Sequence, residues 1–190
     1  EDIGRQLGIE VTVYSTGEET TGFVDSDSEY FNIINAARIK EIPIEEEYNT
    51  DMYSQDLDQN LLYILRDELN NYKESFHLKD FTDMIEKFIV AKICPKYDVV
   101  FIDEAQDLSP IQWKMFDLLK KNSKYIIIAG DDDQAIYGWA GADVKRFQQE
   151  PAKEIVLPQS YRVPKLVQHI ADKILSRIPD ERRLKRSEER

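Results

Sequence analysis

Asp103 and Glu104 stand side by side at the end of an apolar run in YDVVFIDEAQDLSPIQW, residues 97–113. Two adjacent carboxylates repel each other and lose hydration, so something positive is expected near them. A hydrophobic strand ending in Asp-Glu suits nucleoside-triphosphate hydrolysis. The Asp would serve Mg²⁺, usually through a water, and the Glu would orient and polarise the attacking water. The other reading is that both acids only cap the following turn. A second polar segment, GDDDQAIYGWAGAD (residues 130–143), sets Gln134 beside three acids, able to sense a γ-phosphate without adding charge. Tyr137 and Trp139 follow in a glycine-containing loop, either exposed for stacking on bases, at roughly 1–3 kcal/mol each, or tucked into a core. A third segment, PQSYRVP (residues 158–164), places Tyr161 next to Arg162.

The elements that must position these residues change in kind at Pro95. Before it the chain reads as helical. In SEYFNIINAARIK, Tyr30, Ile34, Ala37 and Arg38 recur at helical spacing, with Asp27 or Ser28 as a cap. IPIEEEYNTDMYSQD reads as a polar connection. Leu62, Leu65, Leu69, Tyr72 and Phe76 form one apolar stripe, and Phe81, Ile85, Phe88 and Ile89 another that Pro95 ends. Ile9–Tyr14 reads as a strand. After Pro95, Val99–Ile102, the run YIIIAG and Glu154–Leu157 read as three buried strands. Between the first two lies a helix with Ser109 as cap, Pro110 at its first position, Gln112 placed for a capping box, and Ile111, Met115, Leu118 and Leu119 on its apolar face. A last helix from Pro164 turns Leu166, Val167, Ile170, Ile174 and Ile178 inward. Buried strands alternating with helices predict an α/β fold with a parallel sheet. In such a sheet ligands gather outside the carboxyl ends of the strands, where all three polar segments fall.

Composition narrows the classes. A chain of 190 residues with 42% hydrophobic residues has enough material for a core. The single cysteine, Cys94, excludes an internal disulfide and a Cys-cluster metal site, which suits a cytoplasmic address. No run is apolar for the roughly 18 residues of a membrane span. A net charge of −12 argues against broad phosphate-backbone binding and leaves room for a local stacking groove. The tail RRLKRSEER reads as a solvated helix end, a cut in a longer chain, or a small basic patch. His77 and His169 read as helix-face residues.

Taken in order, FIDEAQDLSPIQW, GDDDQAIYGWAGAD and QSYRVP resemble three consecutive motifs of the UvrD/Rep/PcrA-type superfamily 1 DNA helicases, most closely phage-type members. DFTDMI is similar to a segment preceding the acidic motif, and the specific matching runs from Lys79 to Ile178. The resemblance implies a partial RecA-like P-loop NTPase sheet over residues 96–178, a mainly helical accessory insertion over 1–95, and a charged tail over 179–190. It implies ATP and Mg²⁺ as cofactors, and single-stranded DNA and single-strand/duplex junctions as partners. Residue by residue, it implies Asp103 for Mg²⁺, Glu104 for the hydrolytic water, and Gln134 for the γ-phosphate and its relay to DNA. Tyr137 and Trp139 would meet single-stranded DNA, Tyr161 would stack on adenine, and Arg162 would stabilise γ-phosphate charge. Gly138 and Ala140 occupy positions where the family often carries arginine.

No stretch matches G-x-x-x-x-G-K-[ST], and GRQLGIE lacks both the lysine and the hydroxyl. The expectation is therefore an internal piece of a helicase whose isolated form does not hydrolyse ATP. Two rival classes stand beside it: a non-catalytic module that grips single-stranded DNA through Trp139, and an acidic Mg²⁺-dependent phosphotransfer pocket of the receiver type. The receiver reading lacks a suitably placed lysine after a strand and leaves YGWAGAD unexplained.

Overall fold

The computed structural model describes residues 26–53, 57–157 and 161–177. The strand expected at Ile9–Tyr14, and Pro158, Ile178 and the charged tail, lie outside them. The described elements are α1 (Ser26–Lys40), α2 (Ile44–Tyr48), α3 (Gln59–Ser75), α4 (Phe81–Ala91), β1 (Tyr97–Ile102), α5 (Pro110–Lys121), β2 (Ser123–Ile128), α6 (Val144–Gln149) and α7 (Lys165–Leu175). Short 3-10 turns occupy Ala105–Asp107, Asp132–Gln134 and Tyr137–Ala140. No described helix is long and apolar enough to cross a membrane.

β1 and β2 pair in a two-stranded sheet. Tyr97 N–H meets the Asn122 carbonyl, and Ala129 N–H meets that of Ile102, so the partners advance together along both chains. The pairing is parallel, with α5 as the crossover that parallel strands require. The chain is therefore mixed α/β. The expectation of buried strands fails on one side of this sheet. Val100, Ile102, Ile126 and Ile128 are half-buried, but Phe101 is 72% and Tyr125 60% exposed. A strand pair buries both faces only when further layers cover them. The third strand also fails: Glu154–Leu157 is irregular, hydrogen-bonds to no described strand, and leaves Leu157 87% exposed.

The chain divides into two compact units. One holds the described residues up to Val100 together with Ser109–Ile126; the other holds Phe101–Leu108 and the described residues from Ile127 onward. In the first, α1 packs against α2, α3, α4 and α5. Its core is Tyr30, Ile33, Ile34, Ala37, Ile44, Leu57, Leu62 and Leu65. Burying each large aliphatic side chain contributes about 1.5–3 kcal/mol, so the helical spacing read from sequence sets the stability of this unit. The stripe of α3 leaves this core at its end, where Phe76 is exposed, and Phe81 at the start of α4 is exposed too. Asp27 and Ser28 fall inside α1 rather than at its cap.

Local chemistry fixes the helix ends. Asp58 caps α3 by accepting from Asn60 N–H at 2.8 Å. Asp80 and Asp83 form a reciprocal capping box at the start of α4, with bonds of 2.7 and 2.9 Å. α4 stops at Lys92 in the left-handed region, before Pro95 is reached. In α5, Gln112 Oε1 accepts from Ser109 N–H at 2.9 Å, as the capping box predicts. Its buried face differs from expectation, being Ile111, Trp113 and Phe116, with the two rings edge to face at 5.0 Å.

The segment read as a polar connection contains α2 and a fully buried acid, Glu47. Lys40 Nζ donates to both of its oxygens at 2.7 and 2.8 Å, and Tyr53 OH donates at 2.8 Å. A charge buried this deeply is tolerable only with such partners.

Candidate functional site

The polar strand ends lie in the second unit. β1 hands its chain to Asp103 and then to Glu104, whose φ of 50° is left-handed. Among the described residues the other non-glycine positions with positive φ, Glu41, His77 and Lys92, follow helix ends, where such a conformation is ordinary. Glu104 follows a strand, so its backbone is held against its own preference. Asp103 Oδ1 accepts from Glu104 N–H at 3.0 Å, which fixes the bend, and both side chains are exposed.

The turn that follows is anchored from inside. Ala105 and Gln106 are buried, and Ala105 N–H donates to the Ala129 carbonyl at 2.9 Å. Gln106 Nε2 donates to Glu104 Oε2 at 2.8 Å and to Asp107 Oδ2 at 3.2 Å. Its Oε1 accepts from Asp131 N–H at 3.0 Å. Gly130 makes this approach possible: a Cβ there would stand 2.6 Å from Gln106 Oε1 and 2.9 Å from the Phe147 ring. Asp107 has a buried Oδ1 without a described partner. Burial, and then the Glu104 charge, push its carboxyl above the usual range, against the Gln106 hydrogen bond.

Beyond β2, Asp131 caps the next turn by accepting from Asp133 N–H at 3.1 Å. Its other oxygen accepts from Gln134 Nε2 at 2.8 Å, and Gln134 is exposed. Gln148 Nε2 holds Asp132 at 3.0 Å, and α6 packs on the Ala105–Asp107 turn. Tyr137 is half-buried; Trp139 is 59% exposed in a turn that ends at Gly141, whose φ of 98° favours glycine. Asp143 N–H returns to the Leu108 carbonyl at 2.8 Å.

Glu104 and Gln134 are therefore joined through Gln106 and Asp131, while Trp139 follows in the next turn. Tyr161 and Arg162 are exposed, Tyr161 to 90%, and no hydrogen bond or ion pair ties them to Asp103, Glu104 or Gln134 among the described residues. The stripe of α7 is also uncovered among the described residues, contrary to expectation, with Leu166 71% and Ile174 58% exposed. Sequence reasoning passed over Gln106, Gly130 and Asp131. The only signal for them was a short amide and a glycine flanking the acids.

No group of three or more ligating side chains that could hold a metal occurs among the described residues. The exposed Asp103 and Glu104 carboxylates are hard oxygen donors of the kind Mg²⁺ takes. Mg²⁺ keeps several waters and takes one or two carboxylates together with phosphate oxygens. Asp103 Oδ2 makes no described hydrogen bond.

A model of the UvrD/REP helicase N-terminal domain matches residues 19–153. The chain belongs to that family. Among curated proteins it is similar to the ATP-dependent DNA helicase PcrA of Staphylococcus epidermidis, 35% identical over 85 residues, covering 42% of this chain and 12% of that protein. The PcrA of Staphylococcus aureus is 34% identical over 85 residues with the same coverage. The chain thus matches about an eighth of the length of these curated relatives.

Proposed function

We propose that this chain is part of the first motor domain of an ATP-dependent DNA helicase that moves along single-stranded DNA and unwinds duplexes. Residues 96–178 would contribute to a RecA-like P-loop NTPase sheet, residues 1–95 would form a helical accessory insertion, and the protein would work in the cytoplasm at single-strand/duplex junctions. The observation that carries this reading is the Glu104–Gln106–Asp131–Gln134 chain of hydrogen bonds at the strand ends. It supports a site where change at a phosphate is felt by the neighbouring loop.

Asp103 would hold Mg²⁺ through a water, and that ion would supply neutralisation of phosphate charge. Glu104 would orient and polarise the attacking water, Gln134 would contact the γ-phosphate, and Arg162 would stabilise the charge that develops there. Tyr161 would stack on the adenine of ATP. Trp139 would stack on a base of single-stranded DNA, with Tyr137 beside it. The isolated chain would not hydrolyse ATP, because its sequence has no G-x-x-x-x-G-K-[ST] loop to cradle the β- and γ-phosphates.

The exposure of Trp139 also favours a second reading, a non-catalytic module that binds single strands. Anisotropy of a labelled oligothymidine separates the two. Trp139→Ala should weaken binding by about fivefold or more, the range of one lost base stack. Unchanged affinity would remove Trp139 from any DNA interface. Binding that Mg²⁺–ATP alters supports the motor reading, and binding indifferent to nucleotide supports the module. ATP turnover abolished by Glu104→Gln would overturn the proposal of an inactive chain.

A further inference from the structure

We infer that Gln106 is a positioning residue, the mechanical link through which Glu104 and the Asp131–Gln134 turn sense one another; this rests on the motor reading above. The carboxamide is suited to the task because its two ends differ. Its nitrogen only donates, and it is turned toward carboxylates, Glu104 at 2.8 Å and Asp107 at 3.2 Å. Its oxygen only accepts, and it is turned toward the Asp131 N–H at 3.0 Å. A flip of the amide would present the oxygen to two acids and the NH₂ to a donor, so the orientation is enforced from both sides. Gln106 is 1% exposed, and burial leaves it no water with which to exchange these partners.

The link continues past Asp131. The same residue that gives its N–H to Gln106 uses one carboxylate oxygen on Asp133 N–H and the other on Gln134 Nε2. Movement of the Glu104 carboxylate therefore reaches Gln134 through two hydrogen-bonded residues. No other described hydrogen bond joins Glu104 to that turn. Gly130 completes the device: with no Cβ it lets the amide oxygen reach the neighbouring backbone. A merely structural Gln106 would hold the two turns together, but the chemical state of residue 104 would not matter to Asp131.

That distinction sets the test, a double-mutant cycle read by hydrogen exchange of the Asp131 amide in the intact chain. In the parent, Glu104→Ala should change the Asp131 exchange rate by about threefold or more, toward the low end of couplings between contacting residues. In a Gln106→Met background, which keeps the volume and removes both hydrogen-bonding ends, the same substitution should change it by less than about 1.5-fold. Equal changes in the two backgrounds, or none in the parent, would overturn the inference. A second measurement leaves residue 106 intact should the methionine variant unfold. The Gln106 side-chain NH₂ protons should exchange more slowly than those of exposed Gln149, and Glu104→Ala should remove that protection. Exchange of both amides at one rate would sink the link. None of these readouts needs hydrolysis or DNA. The coupling can therefore fail while Trp139 still binds single strands, or hold where the motor reading fails.

Discussion

The two carboxylate clusters of this chain are built on opposite plans. In the helical unit, Arg38 reaches Asp80 at 2.9 Å, Asp83 at 2.6 Å and Glu86 at 3.1 Å, while Lys73 meets Asp80 and Asp83 at 3.0 Å. Three acids share two cations, and the network ties α1, α3 and α4 together. In the other unit, Glu104, Asp107 and Asp131 collect around a neutral amide, with Asp103 adjacent. No described ion pair involves any of these four acids. The carboxyls respond in opposite directions. Burial acts to raise Asp80 and Asp83, but hydrogen bonds from backbone N–H, Arg38 and Lys73 prevail and hold both below the usual range. Asp107 is pushed up. A largely compensated cluster fastens helices; an uncompensated one is where a bound cation gains most.

The first way to break this contrast is to remove the cation. Arg38→Met should lower the unfolding free energy by about 2–3 kcal/mol, below the full cost of a buried pair because the side chain is partly exposed. Urea denaturation reads this as a lower midpoint at unchanged slope. A loss under about 0.5 kcal/mol would class the network with ordinary surface ion pairs. On the other side, Gly130→Ala should destabilise by about 1–2 kcal/mol, because its methyl group meets Gln106 and Phe147 at under 3 Å. The same measurement would show no loss if Gln106 can move aside freely.

Much of this was legible locally and little of it at long range. The stripes of α1 and α3, the strands β1 and β2, and the Ser109–Pro110–Gln112 start of α5 follow from period and capping chemistry within a few residues. Arg38 was legible as a member of a helical face, but not as a hub, because its acids lie more than forty positions away. Glu47 looked like part of a polar connection; only Lys40 and Tyr53, placed by folding, make its burial possible. Glu154–Leu157 has strand composition without a described strand beside it, and α7 has an apolar face without a described cover. In both cases a β-branched or amphipathic pattern records what a segment prefers, not what the described residues supply. At the strand ends, the acids at 103 and 104 stood out by type. Gln106 did not, since its role comes from the approach of Gly130 and Asp131 across the sheet end.

The smallest expected effect is the most diagnostic, because its sign differs between the two clusters. Asp107 has a raised folded-state pKa, so its favourable contribution is complete below the unfolded Asp value, about 3.9, and is lost as pH rises through the folded value. At pH 7 the ionised carboxylate therefore costs stability, through burial and the neighbouring Glu104 charge. Asp107→Asn keeps an acceptor for Gln106 and removes the charge. It should raise stability at pH 7 by under about 1 kcal/mol, a gain that fades as pH falls toward 4. Asp80 has a lowered folded-state pKa, so its contribution is present above pH 4 and lost on acidification. Asp80→Asn should accordingly weaken the chain at pH 7, with the loss shrinking in acid. Urea midpoints at pH 7 and pH 4 for Asp107→Asn, and at pH 7 and about pH 2 for Asp80→Asn, form one comparison. Asp107→Asn no more stable than its parent at pH 7 would mean that Glu104 and Asp107 do not act as uncompensated like charges, and the contrast with the Arg38 cluster would collapse.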